Sequence, residues 1–196
     1  MNLEQMLEHI KASGDIMKNI TAWVELPAKD AVYEDFPDFL DERIIKALEG
    51  RGVRKLYSHQ ASAIRAVHEG DSIVVVTPTA SGKTMCYNVP VMDAILKDES
   101  SRALFLFPTK ALSQDQTTEL HELITEAGVD VKTYTYDGDT PQSARKAIRQ
   151  AGHIVVTNPD MLHSGILPHH TKWTKLFENL KFIVIDEVHH YRGVFG

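Results

Sequence analysis

The chain has 196 residues, 43% of them hydrophobic, enough to bury one sizeable core. A formal net charge of −6 excludes a globally basic nucleic-acid binder, so any such site must be a local patch. The single cysteine, Cys86, excludes an internal disulfide or cysteine metal cluster, no apolar run is long enough to span a membrane, and residues 1–5 lack a secretory layout; a cytoplasmic protein with no membrane partner is expected.

Residues 1–50 read as a helical extension packed on the core, and residues 51–196 as the main domain. Leu3, Met6, Leu7 and Ile10 recur at helical spacing, and Ile16, Ile20, Trp23 and Val24 outline a second apolar face. Prolines and acids predict a loop from Leu26 to Pro37. Asp41 then caps a helix carrying Ile44, Ile45 and Leu48, which Gly50 can end.

From Ser58 helix and strand alternate. Ser58 opens a helix through Ala61, Ile64 and Val67 that stops at Gly70. Strands are predicted at 72–76, 103–107, 131–136, 154–157 and 182–185, separated by helices at about 83–96, 111–127, 141–151 and 171–179. Thr140-Pro141 suits a helix opening, and Pro90 should kink its helix because it lacks a backbone donor. The pattern implies an α/β fold, a mostly parallel sheet covered by helices on both faces.

Two motifs carry the chemistry. Residues 77–84, Thr-Pro-Thr-Ala-Ser-Gly-Lys-Thr, follow the apolar run Ile73-Val74-Val75-Val76 and precede a helix. This is the layout of a phosphate-cradling loop, in which Thr79, Ala80, Ser81 and Gly82 present backbone N–H groups to ATP. Lys83 adds positive charge near the outer phosphates, and the Thr84 hydroxyl can ligate Mg²⁺. Thr77 replaces the usual first glycine, which argues against the broad nucleotide-kinase type of loop. The second motif, Asp186-Glu187-Val188-His189, follows the apolar run Phe182-Ile183-Val184-Ile185. Asp186 would hold Mg²⁺ through water, and Glu187 would orient and deprotonate the water that attacks the γ-phosphate. A solvated strand end also suits an acidic pair, but parallel sheets bind ligands at these ends. His189 is read as a coupling residue across the site; His190 has no assigned role.

With both motifs in place, the chain resembles the first RecA-like lobe of superfamily 2 helicases of the DEAD/DEAH-box type. By that resemblance Gln60, in Leu-Tyr-Ser-His-Gln, reads the adenine edge. The string from Phe107 to Leu112 with Gln114 and Gln116, the turn Tyr136-Asp137-Gly138-Asp139-Thr140, and the string from Thr157 to His163 are similar to the family's nucleic-acid motifs. Pro108, Thr109, Lys110, Gly138, Asp139, Thr140, Thr157, Asn158 and Pro159 are therefore the candidate nucleic-acid residues. Their chemistry suits the role: threonine hydroxyls at strand ends and before helices, with the charge of Lys110, can grip the phosphates of a single strand. Each threonine could equally be an ordinary helix cap. Arg145, Lys146 and Arg149 read as a solvated helix face, and Trp173, after His169, His170 and Lys172, as a core residue below an exposed loop.

The strings at 77–84, 136–140, 166–170 and 191–196 look like the bacterial mitomycin-repair (MrfA-like) helicases. That likeness implies ATP-dependent 3′–5′ translocation on single-stranded DNA in DNA repair. An RNA helicase lobe, or a binding module that does not use ATP, are the alternatives. Ten residues follow Asp186, and the family's next strand, its second RecA-like lobe with arginine fingers and its cysteine-rich region are not among them. The expectation is an incomplete lobe with a slot in its sheet, inactive by itself.

Overall fold

The computed structural model describes every residue except Met1, Leu26, Ala28, Lys29, Thr79, Ala80 and 193–196. Two compact units are present, Met1–Ala31 and Val32–Gly196. The first holds α1 (Leu3–Ala12) and α2 (Gly14–Met17). Asn2 opens α1 through a reciprocal cap with Gln5, each side chain accepting from the other's backbone N–H.

In the second unit β1 (Tyr33–Glu34) pairs antiparallel with β2 (Leu56–Tyr57), flanking α3 (Glu42–Gly50). Asp41 caps α3 by accepting from the Arg43 backbone N–H at 2.9 Å. There follow α4 (Ser58–His68), α5 (Lys83–Lys97), β3 (Arg102–Leu106), α6 (Lys110–Ala127), β4 (Thr133–Thr135), α7 (Gln142–Ala151) and β5 (Ile154–Thr157). The chain closes through α8 (Pro159–Met161), a π turn and a 3₁₀ stretch, α9 (Thr174–Glu178) and β6 (Leu180–Ile185). α5 runs through Pro90 without ending there.

The main sheet is parallel in order β4-β5-β3-β6. Strand alternation divides two cores. Ala103, Phe105, Ile154 and Val156 face a large cluster with Ile44, Leu48, Ile64, Met92 and Leu120 from the helices before β4. Leu104, Leu106 and Val155 face a smaller one with Ile148, Ile166, Trp173 and Leu176. This is the two-faced burial that parallel strands require.

Five expectations change. α2 stops at Met17, short of Ile20, Trp23 and Val24, and β1 lies within the loop expected from Leu26 to Pro37. Residues 72–76 form no strand, and Val74 and Val76 are 83% and 87% exposed. A strand exists only beside a ladder partner, and among the described residues none runs along this segment. The helix expected at 171–179 is a 3₁₀ stretch, Leu167–Trp173, kinked at His169 and followed by the short α9. The strand expected at 131–136 keeps only its centre, β4. β6 is an edge strand: Phe182 and Val184 pack on the large core, while Ile183 and Ile185 are more than half exposed on its other face. Among the described residues no helix is long and apolar enough to cross a membrane.

Candidate nucleotide and nucleic-acid site

Gly82 starts α5 in the left-handed region, φ +74°, which a residue with a Cβ rarely adopts. A Cβ there would also lie 2.5 Å from Gln60 Nε2. That side chain is buried and fixed at both ends: Oε1 accepts from the Tyr57 backbone N–H at 2.9 Å, and Nε2 donates to the Gly82 carbonyl at 3.0 Å. His59 Nε2 lies 3.1 Å from the Ser81 carbonyl, and the Ser81 and Thr77 hydroxyls are 2.6 Å apart. The start of α4 thus braces the loop, and both functional atoms of Gln60 already have main-chain partners. Thr79 and Ala80 lie outside the described residues.

Lys83 Nζ donates to the carbonyls of Thr77 and Pro78 at 3.1 and 3.2 Å. No carboxylate neutralises it among the described residues. One residue on, Thr84 Oγ1 donates to Gln116 Oε1 at 3.0 Å, which also accepts from Tyr87 OH at 3.0 Å. Tyr87 OH lies 3.4 Å from Asp186 Oδ2. Tyr87 OH thus stands between two acceptors, Gln116 Oε1 and Asp186 Oδ2, either of which its one proton can serve. The cluster of Thr84, Gln116, Tyr87 and Asp186 links the loop to the acid at the carboxyl end of β6. Burial, then the Asp186 carboxylate, hold the Tyr87 hydroxyl far above its ordinary pKa, so it stays a neutral donor. The same two causes push Tyr191 up to about 12. Burial raises the Cys86 thiol to about 11, an unreactive state.

Asp186 Oδ1 accepts from the Glu187 backbone N–H at 2.8 Å, and Asp186 has no cationic partner among the described residues. Glu187 sits at φ 50°, ψ 46°, the only described non-glycine residue at positive φ. Its Oε2 is 3.2 Å from His189 Nδ1, so His189 faces the acid; the His190 ring lies 4.4 Å from that of His189.

Pro108, Thr109 and Lys110 lie where β3 opens into α6; Thr109 Oγ1 caps the helix by accepting from Leu112 N–H at 3.3 Å. Lys110 Nζ pairs with Asp139 and lies 3.7 Å from Asp137 Oδ2, joining this corner to the turn that holds Gly138. Within that turn Thr140 Oγ1 accepts from Asp137 N–H at 2.9 Å. Beside it, Asn158 Oδ1 accepts from Met161 N–H at 2.8 Å and caps α8, which Pro159 begins. Thr157 points inward: it is 2% exposed and donates to the Tyr136 carbonyl at 2.7 Å. The corners after β3, β4 and β5 lie side by side at the carboxyl ends of neighbouring parallel strands, a ledge with Thr157 buried beneath it.

A model of the DEAD/DEAH box helicases matches residues 57–196. The chain belongs to this family. Its fold is that of the first RecA-like helicase lobe. It is 57% identical over 195 residues to an uncharacterized ATP-dependent helicase, YprA, of Bacillus subtilis (strain 168), covering 100% of this chain and 26% of that protein. ATP-dependent helicase hrq1 of Schizosaccharomyces pombe is 38% identical over 200 residues, covering 100% of this chain and 19% of that one. A crystal structure of DUF1998 helicase MrfA bound to DNA and AMPPNP matches with TM-score 0.93 and 57% identity, over 100% of this chain and 27% of that one. The chain thus spans about a quarter of the bacterial relatives' length.

Within this DEAD/DEAH lobe, sequence reasoning missed Tyr87 and the bracing role of His59. Tyr87 had a signal: it lies four residues after Lys83, one turn along the same helix face. Its partner Asp186, 99 positions away, had none.

Proposed function

We propose that the unit Val32–Gly196 is the ATP- and nucleic-acid-binding lobe of an ATP-dependent DNA helicase acting in DNA repair with 3′–5′ polarity. The observation that carries this is the polar cluster of Thr84, Gln116, Tyr87 and Asp186, which joins the lysine-bearing loop to the acidic pair. The residues fit a magnesium–triphosphate: among the described residues the Lys83 ammonium is bonded only to main-chain carbonyls, and the Asp186 carboxylate, which Tyr87 reaches from the helix that Lys83 begins, has no cationic partner. Mg²⁺, when bound, supplies charge that neutralises phosphate oxygens in the transition state. Thr84 and Asp186 would hold it. Ser81, Gly82 and Lys83, with Thr79 and Ala80, would bind the phosphates, and Gln60 sets the loop's position.

Glu187 would take the proton of the attacking water. Its left-handed backbone is the kind of local strain that gathers at functional sites, and it turns the carboxylate toward His189. His189 would orient that carboxylate and report the state of the ledge. Along the ledge, Thr109, Lys110, Thr140 and the Asn158 cap, with Pro108, Gly138 and Pro159, would hold a single strand by its backbone, with Thr157 fixing their positions and Asp139 holding the Lys110 ammonium in place until a phosphate takes it. The likeness to a helicase crystallised with DNA favours DNA over RNA, and a single cysteine fits a cytoplasmic place.

In the full-length protein, single-stranded DNA should stimulate ATP hydrolysis more than RNA of equal length, and Glu187→Gln should keep nucleotide binding while lowering turnover by about 10²-fold or more. Stronger stimulation by RNA would favour the RNA helicase reading. The 196-residue chain alone should turn over negligibly, because an arginine finger from a second lobe is worth about 10³–10⁵ in rate.

A further inference from the structure

A cavity of about 400 Å³ opens beside the ledge, lined by Tyr136, Arg145, Arg149, His169, Lys172 and Trp173 among others, and no carboxylate lines it. That is notable in a chain of net charge −6. Its floor is aromatic: Trp173 is 1% exposed and meets Tyr136 edge-on, ring centroids 4.7 Å apart. Arg145 forms one wall. Its guanidinium stacks 5.2 Å from the Tyr136 ring centroid, and its Nε donates to the Thr140 carbonyl at 3.0 Å. The cavity is thus tied to the turn that carries Gly138, Asp139 and Thr140.

Met161, Ser164 and Gly165 also line it, in the segment that Asn158 opens. The cavity therefore adjoins two corners of the ledge. Arg149 and Lys172 line it from α7 and from the kinked 3₁₀ stretch, and neither has a side-chain hydrogen bond or ion pair among the described residues. Two unpartnered cations from separate elements, over an aromatic floor and without an acid, describe an anion site.

We propose that this cavity binds backbone phosphate of the same nucleic-acid strand, extending the ledge past the turn at 137–140 with Arg149 and Lys172 as the phosphate-binding residues. The proposal rests on the ledge reading given under Proposed function. It also gives a role to the stretch kinked at His169, which brings both His169 and Lys172 to the cavity. Guanidinium and ammonium groups suit phosphate without reading bases, so binding here is independent of sequence.

The test uses the full-length protein, with oligothymidylates of about six and about twenty nucleotides, since single-strand sites on one domain span about 4–16 nucleotides. Arg149→Ala/Lys172→Ala removes two charges without touching Arg145, whose bonds shape the turn. The expected result is about tenfold weaker binding of the long oligomer, little change for the short one, and a slope of log affinity against log salt reduced by about 0.7 for each phosphate no longer neutralised. A long oligomer bound with wild-type affinity and slope would overturn the proposal. Thr109→Ala/Lys110→Ala separates the two readings: if it leaves both oligomers unaffected while the cavity variant weakens the long one, the cavity stands and the ledge reading fails.

Discussion

Gly82 is where a single atom decides the loop's shape. A Cβ would meet Gln60 Nε2, the end of a flexible side chain but one held by two backbone bonds, and φ +74° adds strain of its own. Gly82→Ala should lower stability by roughly 1–3 kcal/mol and weaken nucleotide binding. Gln60→Ala removes the obstacle, so the double variant should lose less than the sum of the two, a coupling of about 0.5–3 kcal/mol in urea unfolding. Strict additivity would mean that the two residues do not meet. On the ledge, Asp139 holds the Lys110 ammonium above its usual pKa, and its carboxylate would repel an incoming phosphate. Asp139→Asn should tighten single-strand binding about two- to fivefold at low salt, a gain that vanishes at high salt. Weaker binding would show that Asp139 serves the strand in another way.

Among the elements, β3 and β5 were legible because each is an apolar run buried on both faces and paired with a neighbour. Residues 72–76 have the same composition and form no strand, because a strand depends on a partner that the run itself does not encode. The site divides similarly. The loop and the acids are local strings that can be read in order, whereas the Gln116–Tyr87–Asp186 links and the joining of Arg149 to Lys172 in one cavity exist only after folding. Arg149 in isolation looks like a solvated helix residue, and nothing in its neighbours says otherwise. His153 shows an element junction with a measurable consequence. The Lys132 backbone N–H donates to its Nδ1 at 3.1 Å, which requires a neutral ring, and burial followed by the Arg102 and Lys132 charges lowers its pKa from 6.5. The unfolded chain therefore binds the proton more readily than the native state. The junction's contribution is fully present above the unfolded pKa of 6.5 and is lost as pH falls through the native value. Urea midpoints measured from about pH 8 down to pH 5 should decline, and His153→Gln should flatten that decline. An unchanged pH profile in the variant would remove His153 from this role.

For the molecule as a whole, the exposed face of β6 and the bare run at 72–76 leave apolar surface open. Ile183 and Ile185 point the same way, two residues apart on an edge strand, an arrangement that invites pairing with other chains. Ile183→Lys/Ile185→Lys should therefore reduce self-association of the 196-residue chain in sedimentation velocity, while unchanged association would place the contact elsewhere. The central claim is that loop and acids serve one bound nucleotide. Calorimetric affinities for an ATP analogue with Mg²⁺, measured for Lys83→Ala, Asp186→Asn and the double variant of the full-length protein, test it most directly. A shared site predicts that the double variant loses less than the sum of the single losses, with a coupling of about 1–3 kcal/mol. Losses that add to within about 0.5 kcal/mol would mean that Lys83 and Asp186 act on separate ligands, contradicting the account.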